Sequence, residues 1–156
     1  MRWRYWLDFI WLPPVIVSVI ALNCRDIIWA GWFVLGFAAW TLIEYWVHRT
    51  ALHVFFWHGT HERHHKQPAE YVETIWWYTP PLFIVLFLIF PVSIFAGFCA
   101  GYLWFLTMHH WLHHIDLRGQ TWLHRYAIWH NRHHKLTDCN YGITTPVWDW
   151  AFRTSK

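Results

Sequence analysis

Fourteen histidines occur among 156 residues, and their spacing is that of a metal-binding set. His48 and His53 stand five apart and are followed by His61, His64 and His65. A second block holds His109, His110, His113 and His114, then His130, His133 and His134. On an α-helix, residues three and four apart share a face. His61, His64 and His65 therefore point one way, and His130, His133 and His134 do the same. Either His109 with His113 or His110 with His114 forms an i,i+4 pair that could offer two imidazoles to one ion. His48 and His53 lie roughly 140° apart round an ideal helix, so they need a helix end between them or two metals on either side. Imidazole with few carboxylates suits iron, zinc, copper or nickel rather than magnesium or calcium. The expected chemistry is that of a pair of metal ions held where the two histidine blocks meet.

Glu44, Glu62, Asp116, Asp138 and Asp149 lie near these blocks and are candidates for orienting the second nitrogen of each ring. His58, His110, His114 and His124 fall outside the best pattern and read as interfacial or supporting residues. Cys24, Cys99 and Cys139 are an odd set at unrelated spacings, which indicates neither a disulfide framework nor a zinc finger.

The elements that must position the histidines are apolar. Apolar residues make up 56% of the chain, charged residues only 13%, and sixteen residues are tryptophan. A soluble domain carries about a quarter charged residues, so this composition describes an integral membrane protein. The net charge of +3 is interleaved with apolar runs and forms no concentrated basic face, which argues against nucleic-acid binding. A length of 156 residues is that of one domain, residues 1–156, with no separate electron-carrier module.

Four short transmembrane helices are expected, over residues 5–22, 27–47, 74–90 and 91–108. The first contains Pro13-Pro14 and reads as an uncleaved span. The 35 residues Thr74–Met108 are broken by Pro80-Pro81 and Pro91. One crossing there would leave the histidine blocks on opposite sides, whereas two crossings with a turn near Phe90–Ser93 return the chain to the side it left. With four crossings, eleven of the twelve Lys and Arg residues share one face, Arg25 being the exception. That bias places both termini and both blocks in the cytoplasm. The fold class is thus all-α: a four-helix membrane stalk with a cytoplasmic histidine-rich helical cap, residues 48–73 and 109–156. Tryptophans at the span ends read as an interfacial belt.

The order His48-x4-His53, His61-x2-His64-His65, His109-x3-His113 and His130-x2-His133-His134 resembles the fatty acid hydroxylase/sterol desaturase superfamily. The tail from Asn140 to Thr154 is similar to that family's closing segment, and the likeness runs from about residue 40 to the C-terminus. It implies a membrane di-iron oxygenase with ten metal-ligating histidines: His48, His53, His61, His64, His65, His109, His113, His130, His133 and His134. Two iron ions are the implied cofactor, with zinc able to replace them on isolation and O2 as co-substrate.

The implied reaction is hydroxylation or desaturation of a C–H bond in a fatty-acyl or other long-chain lipid. An unactivated C–H bond needs an oxidant beyond any side chain, which a redox metal supplies. The implied partners are the lipid bilayer, a lipid substrate and a separate electron-donor protein, in a bacterial inner membrane or an ER-like membrane. Trp57, Tyr71, Trp76, Trp77 and Tyr78 are candidates for the lipid entrance. The chain is also close in length to the related carotenoid ring hydroxylases, which form the alternative within the superfamily. Outside it, a haem electron carrier would need histidines within the spans, and a metal transporter would need ionisable residues near mid-span. The sequence offers neither.

Overall fold

The computed structural model describes residues 3–55, 58–71, 78–119 and 121–156, with the side chains of His58 and Thr121 excepted. Every regular element among them is helical. The order is α1 (Trp3–Asn23), α2 (Ile27–Trp46), a π-helical segment (Val47–Phe55), α3 (His58–Lys66), α4 (Thr79–Ile89), α5 (Val92–His114), α6 (Thr121–Lys135) and α7 (Val147–Ala151).

Local chemistry sets the breaks. At the end of α1 the Asn23 amide donates to the Val19 carbonyl at 3.0 Å. Asp26 then starts α2, its carboxylate accepting from the Trp29 N–H at 2.8 Å, as an N-cap does. Pro80 and Pro81 fall in the first turn of α4, where a missing N–H costs least. Phe90, forced extended by the following proline, separates α4 from α5 where the turn is expected.

Three helical stretches are long and apolar enough to cross a membrane: Trp3–Asn23, Ile27–Phe55 and Val92–His114. The chain is a membrane protein, and exposed apolar side chains such as Ile10, Val17, Leu22 and Ile27 suit contact with lipid rather than water. α4 has 11 residues, fewer than the roughly 17–25 of a spanning helix, and residues 74–77 of the expected third span lie outside the described residues. Two helices run past the expected span ends. The second apolar helix does not stop at Val47 but continues as π-helix to Phe55, and α5 does not stop at Met108 but carries His109–His114 on its last turns.

The chain divides into two compact units. The first comprises residues 1–40 and 71–104. In it α2 and α5 touch backbone to backbone: a Cβ on Gly36 would overlap the Ile94 carbonyl, and one on Gly97 the Phe33 carbonyl. Small residues allow that approach between membrane helices. Buried Asp8 of α1 accepts from the Tyr102 hydroxyl and from the Trp11 indole, both at 2.7 Å. Tyr102 packs against Phe83 and Trp40. The second unit comprises residues 41–70 and 105–156, and it contains all fourteen histidines.

Candidate metal centre

The π-helical segment resolves the five-residue spacing of His48 and His53. In a π-helix the backbone bond runs from i to i+5, so residues five apart stack on one face instead of diverging. The two rings lie 5.2 Å apart, with no helix end between them. The Thr50 hydroxyl donates to the Trp46 carbonyl at 2.6 Å, where α2 widens into this segment.

The histidines form two groups. His48, His53, His61, His65 and His133 offer nitrogens that all lie within 4.8 Å of one another, and so do His64, His109, His113 and His130. His134 adjoins the second group, its Nε2 standing 3.1 Å from that of His130. Each H-x-x-H-H cluster is therefore shared rather than pointing one way. On a helix the i,i+4 partner is rotated by about 40° and the i,i+3 partner by about 60° in the opposite sense. From α3, His61 and His65 go to the first group and His64 to the second. From α6, His133 goes to the first and His130 to the second, which His134 adjoins.

The nitrogens are packed more closely than hydrogen bonding requires. His61 Nε2 lies 3.0 Å from the Nε2 atoms of His48, His53 and His65. A ring nitrogen offers one lone pair or one N–H, so at most one of these contacts can be a hydrogen bond. With metal–nitrogen bonds of about 2.1 Å, ligands at right angles stand about 3.0 Å apart. The second group is similar: His64 and His109 approach to 3.0 Å, and His113 and His130 to 2.8 Å. The donor set fits two metal ions.

Protonation is consistent with this. Burial, followed by the neighbouring histidines, pushes His64 down to about 2 and lowers His61 and His130 strongly. Burial likewise pushes His133 down to about 2 and His134 to about 4. These rings are neutral at physiological pH, as ligands must be.

The five acids have other tasks. Glu44 accepts from the Ile143 N–H at 2.6 Å and from the Thr144 N–H and hydroxyl. Asp149 accepts from the N–H groups of Tyr141 and Gly142, both at 2.8 Å, and from the Thr154 hydroxyl at 2.7 Å. Glu62, Asp116 and Asp138 form exposed ion pairs with Lys66, Arg118 and Lys156. At His48 and His133 ring orientation falls to backbone carbonyls, which the sequence reading missed. His48 Nδ1 meets the Tyr141 carbonyl at 2.5 Å, and His133 Nδ1 meets that of Cys139 at 2.7 Å. Asn140, between them at φ 56°, is a residue type that tolerates this left-handed turn; that was the one available signal.

His110 and His114 pair with each other, rings 5.0 Å apart, and belong to neither group. His124 is exposed. Of the entrance candidates, Trp57, Trp76 and Trp77 lie outside the described residues. Tyr71 packs on Tyr5 with centroids 4.9 Å apart, and Tyr78 is exposed.

A family model described as fatty acid hydroxylase matches residues 33–154. Over 175 residues the chain is 31% identical to the dihydroceramide fatty acyl 2-hydroxylase FAH2 of Arabidopsis thaliana, covering 98% of this chain and 74% of that protein. It is 30% identical to the fatty acid 2-hydroxylase of Rattus norvegicus, covering 86% of this chain but only 42% of the relative. A solved structure, full-length scs7p with only its hydroxylase domain visible, matches with a TM-score of 0.78 at 25% identity. That match covers 97% of this chain and 66% of the other.

Proposed function

Because the chain belongs to the fatty acid hydroxylase family, and so to the membrane hydroxylases, we propose that it places one oxygen atom from O2 on carbon 2 of a long acyl chain. The position and the acyl substrate are taken from the relatives, which are named as fatty acid and dihydroceramide fatty acyl 2-hydroxylases. Those names favour hydroxylation over desaturation and lend the carotenoid alternative no support. The observation that carries the reading is the crowding of imidazole nitrogens into two adjoining groups within one helical unit.

The proposed ligands are His48, His53, His61, His65 and His133 for one ion, and His64, His109, His113, His130 and His134 for the other. An iron pair bound there would supply the oxidising power for C–H cleavage that side chains lack. The chain's own contribution is to keep the rings neutral by burial. At His48 and His133 it also directs the Nδ1 proton to a carbonyl, which would leave the Nε2 lone pair for an ion. The balance is lipid C–H, O2, two electrons and two protons in, hydroxylated lipid and water out, with a separate donor protein supplying the electrons. Zinc competes for such nitrogen sites better than ferrous iron, so a purified sample can carry zinc.

Residues 1–156 would act as one hydroxylase domain. A fourth crossing that includes α4 would put the histidine blocks and both termini in the cytoplasm. Lipid mass spectrometry of cells with and without the gene tests the reaction. A gain of one oxygen on acyl chains is expected; a loss of two hydrogens, or an unchanged lipid profile, would overturn it.

A further inference from the structure

The two histidine groups differ in what stands behind their rings. Segment 139–145 lies behind the first. Its Tyr141 carbonyl meets His48 and its Cys139 carbonyl meets His133. The segment is held in turn by two buried carboxylates, Asp149 on the N–H groups of residues 141 and 142 and Glu44 on those of 143 and 144. Asp149 is itself fixed by the Thr154 hydroxyl, which also meets the Tyr45 hydroxyl at 3.0 Å. The Trp148 indole anchors α7 to Thr41 of α2 at 2.9 Å.

Behind the second group three of the corresponding positions have no such carbonyl. The buried Nδ1 atoms of His64, His130 and His134 meet no hydrogen-bond partner among the described residues. Once Nε2 faces an ion, each Nδ1 must carry the proton. A buried N–H without an acceptor is costly, and it lends its ring no extra basicity.

We infer that the two metal positions are inequivalent: the ion of the His48/His133 group is held tightly and the ion of the His64/His130 group is labile, with Asp149 the positioning residue for the tight one. This rests on the two-ion reading above. Among the described residues Asp149 hydrogen-bonds to Tyr141, Gly142 and Thr154 and to no proposed ligand. It acts through the backbone of residues 141 and 142, which fixes the carbonyl that His48 meets.

The test is stepwise removal of metal from the loaded full-length chain in detergent, with metal per chain counted as chelator is added. The wild type should release one ion early and one late. Asp149→Asn keeps the side-chain shape but replaces one acceptor oxygen with a donor, so it cannot hold both N–H groups and Thr154. It should weaken the late ion by about 10–100-fold and leave the early ion unchanged. If Asp149→Asn loses helicity by circular dichroism, Glu44→Gln carries the same expectation from the other end of the segment. Release of both ions in one step by the wild type would overturn the inference, as would equal loosening of both ions in the variant. A chain that holds two ions and hydroxylates lipid, yet fails this pattern, leaves the reaction standing. A chain that takes up no metal overturns both.

Discussion

His64 and His109 bring their Nε2 atoms to 3.0 Å although 45 residues separate them in the chain. One stands on α3, ahead of the segment leading to α4; the other stands on the last turns of α5. Two neutral imidazoles gain little by such an approach in water, and burying them together removes the hydration of both rings. An ion between them would repay that desolvation, which gives the proposed ligand set a measurable consequence.

Removing a ligand should remove an ion. His64→Ala and His133→Ala are each expected to reduce bound metal from two ions to one or fewer and to abolish hydroxylation, because each takes a nitrogen from a different group. His124→Ala, at an exposed position on α6, should change neither quantity. Metal analysis alongside product assay checks both. Full occupancy and turnover in His133→Ala would be incompatible with the assignment.

The helix crossing in the first unit should tolerate no added bulk. Gly97→Ala places a methyl group against the Phe33 carbonyl and 2.7 Å from the Phe37 nitrogen. Backbone cannot yield as a side-chain tip can, so α2 and α5 must separate. A cost of about 1–3 kcal/mol is expected, seen as a lower thermal midpoint in detergent. A Gly31→Ala control, where an added Cβ meets nothing within 4 Å, should lack that loss.

Buried Asp8 in α1 gives a third expectation. Tyr102→Phe deletes the hydroxyl that donates to Asp8 Oδ2, leaving the carboxylate short of a partner. Stability should fall by about 1–3 kcal/mol. Adding Asp8→Asn should then cost less than it does alone, because the two residues share one interaction. Additive losses in the thermal midpoint would show that the hydroxyl contributes nothing through Asp8.

These cases show where sequence was sufficient. Helix faces follow from a fixed rotation per residue, so the clusters His61/His64/His65 and His130/His133/His134 could be placed on α3 and α6 before any coordinates. The break at Phe90 followed from Pro91. The division of each cluster between two groups was not legible, because it depends on which helix faces which. Nor was the π-helical turn, since no residue type in Val47–Phe55 demands one and it shows only in the backbone that brings His48 and His53 together. The carbonyls of Cys139 and Tyr141 were invisible for a plainer reason: every residue carries one. Glu44 and Asp149 were noticed as acids near histidines, yet their partners are the N–H groups that hold those carbonyls in place.

Acid should destabilise the metal-free protein well above the pH at which carboxylates titrate. His64 and His133 are pushed down to about 2 and His134 to about 4, in each case first by burial. In the unfolded chain the same rings titrate near an ordinary value of about 6.5. Below that value the unfolded state takes up protons that the folded state refuses, so stability present above pH 6.5 is lost on acidification. The loss approaches about 1.4 kcal/mol per pH unit for each histidine. For His134 it levels off near pH 4, whereas for His64 and His133 it continues towards pH 2. Thermal midpoints of the metal-free chain should fall steeply from pH 7 to pH 5, and His134→Gln should flatten the slope in that window. A midpoint constant across it would mean that these rings are charged, or solvated, in the folded protein.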